Sequence, residues 1–201
     1  MWDEVWDSVH HFPMTNKTKT AIWEQLHLNF YTQYSYNKWN KVNEPCPLCK
    51  KEPTTIFHII LYCDFTNNVW AQLQPTLSKL TTKPLDDAEK SLGIVQVKKP
   101  PSIIIRNWLG YKLWEQILLF ERRAHHQSKV PSVEIFKATY TQSIAKEVKD
   151  FMYKLNNEGK LGKFDEIFTF GSIICEKKGE GEYCLKQVFQ WTDYIISFKK
   201  D

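Results

Sequence analysis

The stretch CPLCKKEPTTIFHIILYC, residues 46–63, places four side chains that bind soft metal ions within one short segment. Their spacing is Cys46-x2-Cys49-x8-His58-x4-Cys63. Two cysteines separated by two residues can chelate one ion from a tight turn, and the proline between them favours the backbone of such a turn. The second pair is expected on a helix or directly after one, so that both side chains reach the same ion. Three thiolates and one imidazole close a tetrahedral shell, which predicts a structural zinc site.

Two other interpretations of these residues compete with the metal site. Cys46 and Cys49 also match a Cys-x-x-Cys redox motif, but such motifs follow a strand in a βαβ unit, which the sequence does not predict. Cys63 and His58 could instead be ordinary core residues, since cysteine is often buried as a small hydrophobic side chain. Because all four ligand residues fall within one segment of 18 residues, the zinc interpretation is favoured.

The composition indicates a globular chain without a membrane span. Hydrophobic residues make up 42% and charged residues 25% of the 201 positions, which is typical of a folded domain. No apolar run approaches the ~18 residues of a membrane span, and MWDEVWDSVH is acidic where a signal peptide is basic and apolar. We therefore expect a soluble cytoplasmic and nuclear protein in a reducing environment. The net charge of +4 permits a polyanionic partner without requiring one.

Periodicity along the chain predicts a mainly α (α+β) fold, built as a helical platform with a small CCHC zinc module and a C-terminal β-hairpin. Residues 1–80 are predicted to hold N-terminal helices and the zinc module. Residues 81–101 are predicted to be a linker, because Pro and Gly interrupt them and no period persists. Residues 102–160 predict two long helices, and residues 161–201 a β-hairpin and tail.

The two long helices carry the clearest apolar stripes. In both, apolar side chains recur at i, i+3 and i+4 over several turns, which predicts that they form the core. The first stripe is Ile105, Trp108, Leu109, Leu113, Ile117, Phe120 and Ala124. The second stripe is Val133, Phe136, Tyr140, Ile144, Val148, Met152 and Leu155.

The tail has a different pattern. FDEIFTFGSIICE and EYCLKQVF flank KKGEG, an arrangement typical of a β-hairpin. Cys175 and Cys184 lie at similar distances from the predicted tip, where they could face each other across the two strands. In a reducing compartment we expect them to be free strand residues rather than a disulfide.

The longer stretch CPLCKKEPTTIFHIILYCDFTNNVW resembles the zinc-binding segment at the C-terminal end of non-LTR (LINE-type) retrotransposon reverse transcriptases. The resemblance implies that Cys46, Cys49, His58 and Cys63 are metal ligands and that Trp70 is a packing aromatic. That family often has Glu-Thr before the histidine, whereas this chain has Pro-Thr-Thr, a departure that leaves the ligands unchanged.

The resemblance extends in both directions and covers roughly residues 1–150. Upstream, HFPMTNKTKTAIWEQLHLNFYTQYSYNKW is similar to the family's lead-in to the cysteines. Downstream, the first long helix carries Asn107, Lys112, Trp114 and Arg122 at intervals similar to those of the family's helix. The predicted hairpin has no clear counterpart.

The catalytic residues of that family have no counterpart in this sequence. Its polymerase holds two magnesium ions with paired aspartates in a YxDD-like motif. The pair Asp86-Asp87 instead lies in the context LDDAE, which is typical of the start of a helix, and no clustered carboxylates suggest a nuclease. The resemblance therefore implies a non-catalytic segment that follows a polymerase domain, or a host-captured copy of that segment.

Basic residues indicate where a nucleic acid would bind. Residues 94–130 contain seven Lys or Arg against two Glu, a local net charge of +5, and basic groups on a rigid helix can track phosphates. The resemblance implies binding of RNA or target DNA to assist target-primed reverse transcription, with the parent polymerase domain as a partner if the chain is a fragment. The predicted contacts are Lys50, Lys51, Arg106, Lys112, Arg122, Arg123 and Lys129.

Two alternatives to this surface remain. Arg122 and Arg123 could form a solvated helix end, favourable beside the negative end of the helix dipole. The whole chain could also be a protein-interaction module, in which the zinc turn braces a helical platform that docks against a polymerase domain, another protein or a second copy.

Overall fold

The computed structural model describes most of the chain between residues 15 and 198. The described residues are 15–27, 32–51, 54–81, 84–92, 101–127, 132–179, 182–186 and 197–198, with Asp3, Trp6, Val9 and His10 near the start. The statements below concern these residues only.

The described part of the chain is mainly helical and ends in a small antiparallel sheet, which confirms the predicted fold class. Its helices are α1 (Asn16–Leu26), α2 (Gln33–Asn40), a π-helical turn (His58–Tyr62), α3 (Asp64–Ser78), α4 (Asp87–Leu92), α5 (Pro101–Gln127), α6 (Val133–Asn157) and α7 (Leu161–Phe168). A short 3-10 turn (Phe170–Ser172) leads into strands β1 (Cys175–Gly179), β2 (Glu182–Leu185) and β3 (Ser197–Phe198). No helix in the described part has both the length and the apolar character to cross a bilayer.

Helix α5 is the central element, and it packs against α1, α6 and α7. Its predicted apolar stripe is buried throughout, and so are Tyr111, Trp114 and Leu118 outside that stripe. Apolar side chains therefore cover most of the circumference of this helix, as expected for a helix at the centre of a domain. Polar groups on such a helix must find partners inside the protein.

Helix α6 packs along α5 through the second predicted stripe, whose members are buried apart from the partly buried Val133. The ring of Phe120 meets that of Phe136 edge-on, with centroids 4.9 Å apart. The Tyr140 hydroxyl donates a hydrogen bond to the Leu109 carbonyl at 2.7 Å. At the start of α6, the Ser132 hydroxyl accepts a hydrogen bond from a backbone N–H of the first turn, as an N-cap does.

Helix α3 connects the cysteine-rich segment to this body. Phe65 at its start meets Phe136 of α6 edge-on, with ring centroids 5.7 Å apart. Trp70, one turn further along, is buried against α5 at Gly110. The packing role that the resemblance implies for Trp70 is therefore observed.

The segment predicted as a linker contains structure. Helix α4 lies within residues 81–101, and the Trp114 indole N–H of α5 donates to the Lys90 carbonyl at 2.7 Å. Asp86 and Glu89 exchange hydrogen bonds between side chain and backbone N–H, at 2.8 and 3.1 Å. This reciprocal pair is a capping box, so the acidic residues of LDDAE begin a helix as predicted.

The β-hairpin is shorter than the pattern FDEIFTFGSIICE suggests, because α7 occupies Leu161–Phe168. Strands β1 and β2 pair antiparallel, with Cys175 opposite Leu185 and Cys184 opposite Glu176. The two cysteines are therefore offset by one position rather than directly opposed, and both are free and buried. Burial raises the pKa of the Cys175 thiol to about 12, which keeps it in the unreactive thiol form.

Candidate metal centre

The first half of the candidate metal centre is a tight turn. The backbone N–H of Lys50 donates to the Cys46 carbonyl at 2.8 Å and closes the turn over Cys46-Pro-Leu-Cys49. Lys50 itself has a φ of 59°, in the left-handed region that allows the chain to reverse. Leu48 is buried beneath the turn. The turn therefore presents the thiols of Cys46 and Cys49 toward one side.

The second half is the π turn. A backbone hydrogen bond of 2.7 Å from the Cys63 N–H to the His58 carbonyl closes a wide, five-residue turn. Before it, the Thr55 hydroxyl accepts a hydrogen bond from the His58 N–H at 3.0 Å, as a capping residue does. Because residues five apart lie one turn apart in this geometry, His58 and Cys63 face the same side.

The two halves bring all four predicted ligands together. One ligand atom from each of Cys46, Cys49, His58 and Cys63 lies within 4.8 Å of the other three. The Cys49 sulfur and His58 Nε2 are 3.3 Å apart. In a tetrahedral zinc site with Zn–S near 2.3 Å and Zn–N near 2.0–2.1 Å, ligand atoms are separated by about 3.6–3.8 Å. The observed cluster fits such an ion, and zinc would be held by these four residues.

The environment of the cluster favours a thiolate at Cys46 and a thiol at Cys63. Cys46 and Cys63 are both fully buried, and their thiols are hydrogen-bonded to each other. This bond lowers the pKa of Cys46, because the neighbouring thiol donates to its thiolate. The same bond raises the pKa of Cys63, which acts as the donor. Because thiolate is the form that binds metal, Cys46 is ready to bind an ion, whereas Cys63 has to lose its proton to solvent when the ion binds.

A closed set of four protein ligands determines what the centre can do. All four positions of a tetrahedral ion would be occupied by side chains, as in structural zinc sites, whereas catalytic sites keep one position for water or substrate. The ion would join the turn at residues 46–49 to the π turn. Its chemical contribution is therefore to hold the fold of this module.

Comparison with known families identifies the segment that contains the cluster. Residues 1–70 match the family described as zinc-binding in reverse transcriptase. The match contains all four ligand residues and ends at Trp70, which supports zinc as the ion. It spans 70 of the 201 residues. Comparison with curated proteins and with solved structures gives no match for the chain.

Two of the predicted nucleic-acid contacts are buried, and the prediction that they lie on an accessible basic surface is wrong. Lys112 is 3% exposed, and its ammonium group contacts Glu115 at 2.5 Å and Glu147 at 2.7 Å. Arg106 is 5% exposed and forms an ion pair with Glu89 at 2.8 Å. Both cations neutralise internal carboxylates, so neither is available to a phosphate.

The other predicted contacts are exposed where the structure describes them. Lys50 and Lys51 lie at the surface directly after the first turn, and Lys51 forms an ion pair with Asp64. Arg122 and Arg123 are exposed near the C-terminal end of α5. Lys129 lies outside the described residues.

Sequence reasoning missed the partners of Lys112. The Thr18 hydroxyl of α1 lies 3.1 Å from Glu115 and 3.2 Å from Glu147, and the backbone N–H of Thr15 donates to Glu147 at 2.9 Å. This buried network joins α1, α5 and α6. One feature of the sequence could have predicted this network. Helix α5 is apolar on nearly every side, and a lysine on such a helix requires internal carboxylates as partners.

Proposed function

We propose that the chain is a non-catalytic zinc-binding accessory segment of a LINE-type reverse transcriptase, or a host-captured copy, that binds RNA or target DNA and so assists target-primed reverse transcription. The observation that carries the proposal is the convergence of Cys46, Cys49, His58 and Cys63 within the matched segment. If the chain is a fragment, the parent polymerase domain is its natural partner.

The use of the nearby carboxylates supports a non-catalytic role. Asp86 caps α4 by accepting from the Glu89 N–H, and Glu89 also pairs with Arg106. Glu115 and Glu147 are neutralised by Lys112 in the core. A two-metal phosphoryl-transfer site needs carboxylates that are open to magnesium and substrate, and these four are already occupied by protein partners.

The exposed cations near the C-terminal end of α5 support nucleic-acid binding. Arg122 lies 3.9 Å from Glu24, a long and partly exposed ion pair that contributes little. The Arg123 guanidinium lies 5.8 Å from the Phe120 ring centroid. The Tyr36 ring of α2 meets His125 at 4.5 Å, which brings the zinc-containing segment next to this end of α5. Cations from both segments can therefore contribute to one surface.

Affinity measured across a salt series tests the proposal. The purified, zinc-loaded chain is titrated against labelled RNA, single-stranded DNA and duplex DNA between about 50 and 200 mM salt. We expect binding that weakens with salt, with a slope of roughly 0.7 per phosphate contact on a single strand. The double variant Arg122→Glu, Arg123→Glu should bind more weakly and with a flatter slope.

A matched control separates local contacts from overall charge. Lys146→Glu, Lys149→Glu changes the net charge equally at exposed positions of α6, and it should bind almost as the original chain does. A solvated helix end instead predicts that the α5 variant keeps its affinity and melts at a lower temperature, because acids oppose the helix dipole. Failure of the original chain to bind any nucleic acid at low salt would overturn the proposal and favour the protein-interaction role.

A further inference from the structure

The matched segment has five exposed large aromatic side chains among its described residues, of which Trp23 and Trp39 lie in α1 and α2. The other three lie in or beside the segment that carries the metal ligands. Tyr34 at the start of α2 is 50% exposed, Phe57 directly before the π turn is 52% exposed, and Tyr62 at its end is 65% exposed. Aromatic rings bury large apolar areas when they serve the core. These three, which we call the aromatic row, instead present much of their surface to solvent.

The π turn positions two members of the aromatic row. Phe57 and Tyr62 are five residues apart, the same separation as His58 and Cys63. The i to i+5 hydrogen bonding of the turn aligns residues with this spacing. One pair faces the metal cluster while the other faces solvent, because His58 and Cys63 are buried and Phe57 and Tyr62 are exposed. The metal ligands and the exposed rings are therefore held by the same turn.

Tyr34 extends the aromatic row toward α2. Its backbone N–H donates to the Thr54 carbonyl at 3.1 Å, three residues before Phe57. This bond places the start of α2 beside the residues that lead into the π turn. Tyr34 therefore lies near the segment that carries Phe57 and Tyr62.

Lysines lie beyond both ends of the aromatic row. Lys38 follows Tyr34 by four residues on α2, so the two side chains are neighbours on the helix surface. At the other end, Lys51 forms an ion pair with Asp64, which is two residues from Tyr62. The exposed Lys50 directly precedes Lys51. The surface thus combines aromatic rings with basic side chains at each end, Lys38 at one and Lys50 at the other, beside the paired Lys51.

We infer that the aromatic row is a stacking surface for unpaired bases of a single-stranded nucleic acid, whose phosphates the flanking lysines attract. The inference rests on the proposed function and specifies its ligand. Exposed aromatic rings stack on unpaired bases, and basic groups beside them follow the backbone. In a duplex the base faces are covered by neighbouring base pairs. The charge at both ends favours a polyanion over an apolar protein surface.

Two double variants test the inference. Phe57→Ala, Tyr62→Ala removes the rings, whereas Phe57→Leu, Tyr62→Leu keeps apolar side chains that cannot stack. Each is titrated against a labelled single strand and against the same strand annealed to its complement. Base stacking on one aromatic ring changes affinity by about 5- to 150-fold. We expect both variants to bind the single strand at least about 5-fold more weakly and to keep their duplex affinity.

Controls confirm that the rings act through stacking. Tyr62→Phe keeps an aromatic face and should bind as the original chain does. Tyr153→Ala removes a partly exposed ring from α6 and should leave affinity unchanged. Zinc content measured by native mass spectrometry shows whether each variant retains the folded module.

The outcomes distinguish this inference from the proposed function. If the original chain binds neither strand form, the proposed function itself fails. If it binds single strands but the alanine and leucine variants bind equally well, the proposed function stands and the stacking surface is refuted. If leucine restores the affinity that alanine removes, apolar contact rather than stacking explains the surface, and the inference is again refuted.

Discussion

Lys112 shows how one residue can connect three helices. Its ammonium group lies between Glu115 and Glu147, and Thr18 of α1 contacts both carboxylates. Burial by itself raises the pKa of Glu115, but the charge and hydrogen bond of Lys112, aided by the charge of Lys17 and the Thr18 hydroxyl, outweigh burial and leave the pKa below its usual value. The Glu115 carboxylate is therefore ionised in the folded protein at neutral pH, and Lys112 stabilises this charged form.

Replacement of Lys112 by methionine should destabilise the protein strongly. Glu115 and Glu147 would lose their buried cation, with the exposed Lys17 left beside Glu115. Breaking a buried ion pair typically costs about 3–5 kcal/mol. Urea unfolding measures the change in the free energy of unfolding, and Lys149→Met at an exposed position should change it by no more than about 0.5 kcal/mol. Similar values for the two variants would contradict the burial of the network.

The same network predicts a dependence on pH. A carboxyl group whose pKa is lowered by folding stabilises the protein above its unfolded pKa of about 4.3. That contribution is lost as the pH falls through the lower folded value. Urea unfolding of the original chain and of Glu115→Gln at pH 7 and in acid should therefore show a smaller acid-dependent loss in the variant.

At the scale of elements, the long helices could be predicted because their core residues repeat with the helical period. Trp108, Tyr140 and Val148 are buried as their stripes indicate. The short elements could not be predicted in this way. Helix α4 has six residues, too few to establish a period, and it is held by contacts such as Trp114 to Lys90.

The four ligands of the candidate metal centre could be predicted from the sequence. The exposed basic residues could be predicted only in part. Ligand chemistry and spacing are encoded locally, so residues 46–63 sufficed to predict four converging side chains. Accessibility depends on the packing of distant segments. Lys112 and Arg106 carry the same charge in the sequence as Lys50 and Arg123, and only the fold shows which pair reaches solvent.

Gly110, in the middle of α5, is expected to lower the stability of this helix. A Cβ atom at this position would lie 3.7 Å from the Trp70 ring, an ordinary van der Waals contact. Glycine in a helix interior is less stable than alanine by roughly 0.5–1 kcal/mol. Gly110→Ala should therefore raise the free energy of unfolding by about that amount, measured by urea unfolding. A loss of stability would show that α3 and α5 pack more closely than the structure indicates.

At the scale of the whole molecule, the zinc module and the helical body differ in what holds them. The body is stabilised by the apolar stripes of α5 and α6 and by rings such as Trp108 and Phe168, whose centroids are 5.3 Å apart. The module consists of short turns, and its π turn packs against α3 and α4. The two parts should therefore respond differently to removal of the metal.

Native mass spectrometry should detect one zinc ion per chain, and chelation should loosen residues 46–63 while the body stays folded. Metal binding contributes folding free energy where a segment cannot fold without it, whereas buried helices open only at a cost near that of global unfolding. Hydrogen exchange should therefore speed up in the module and stay slow in α5 and α6. Cys63→Ser should reproduce this pattern without a chelator, and Cys184→Ser in the hairpin should keep its zinc. Unchanged exchange after chelation would refute the structural role of the ion, and simultaneous loss of protection in α5 and α6 would show that the body depends on it as well.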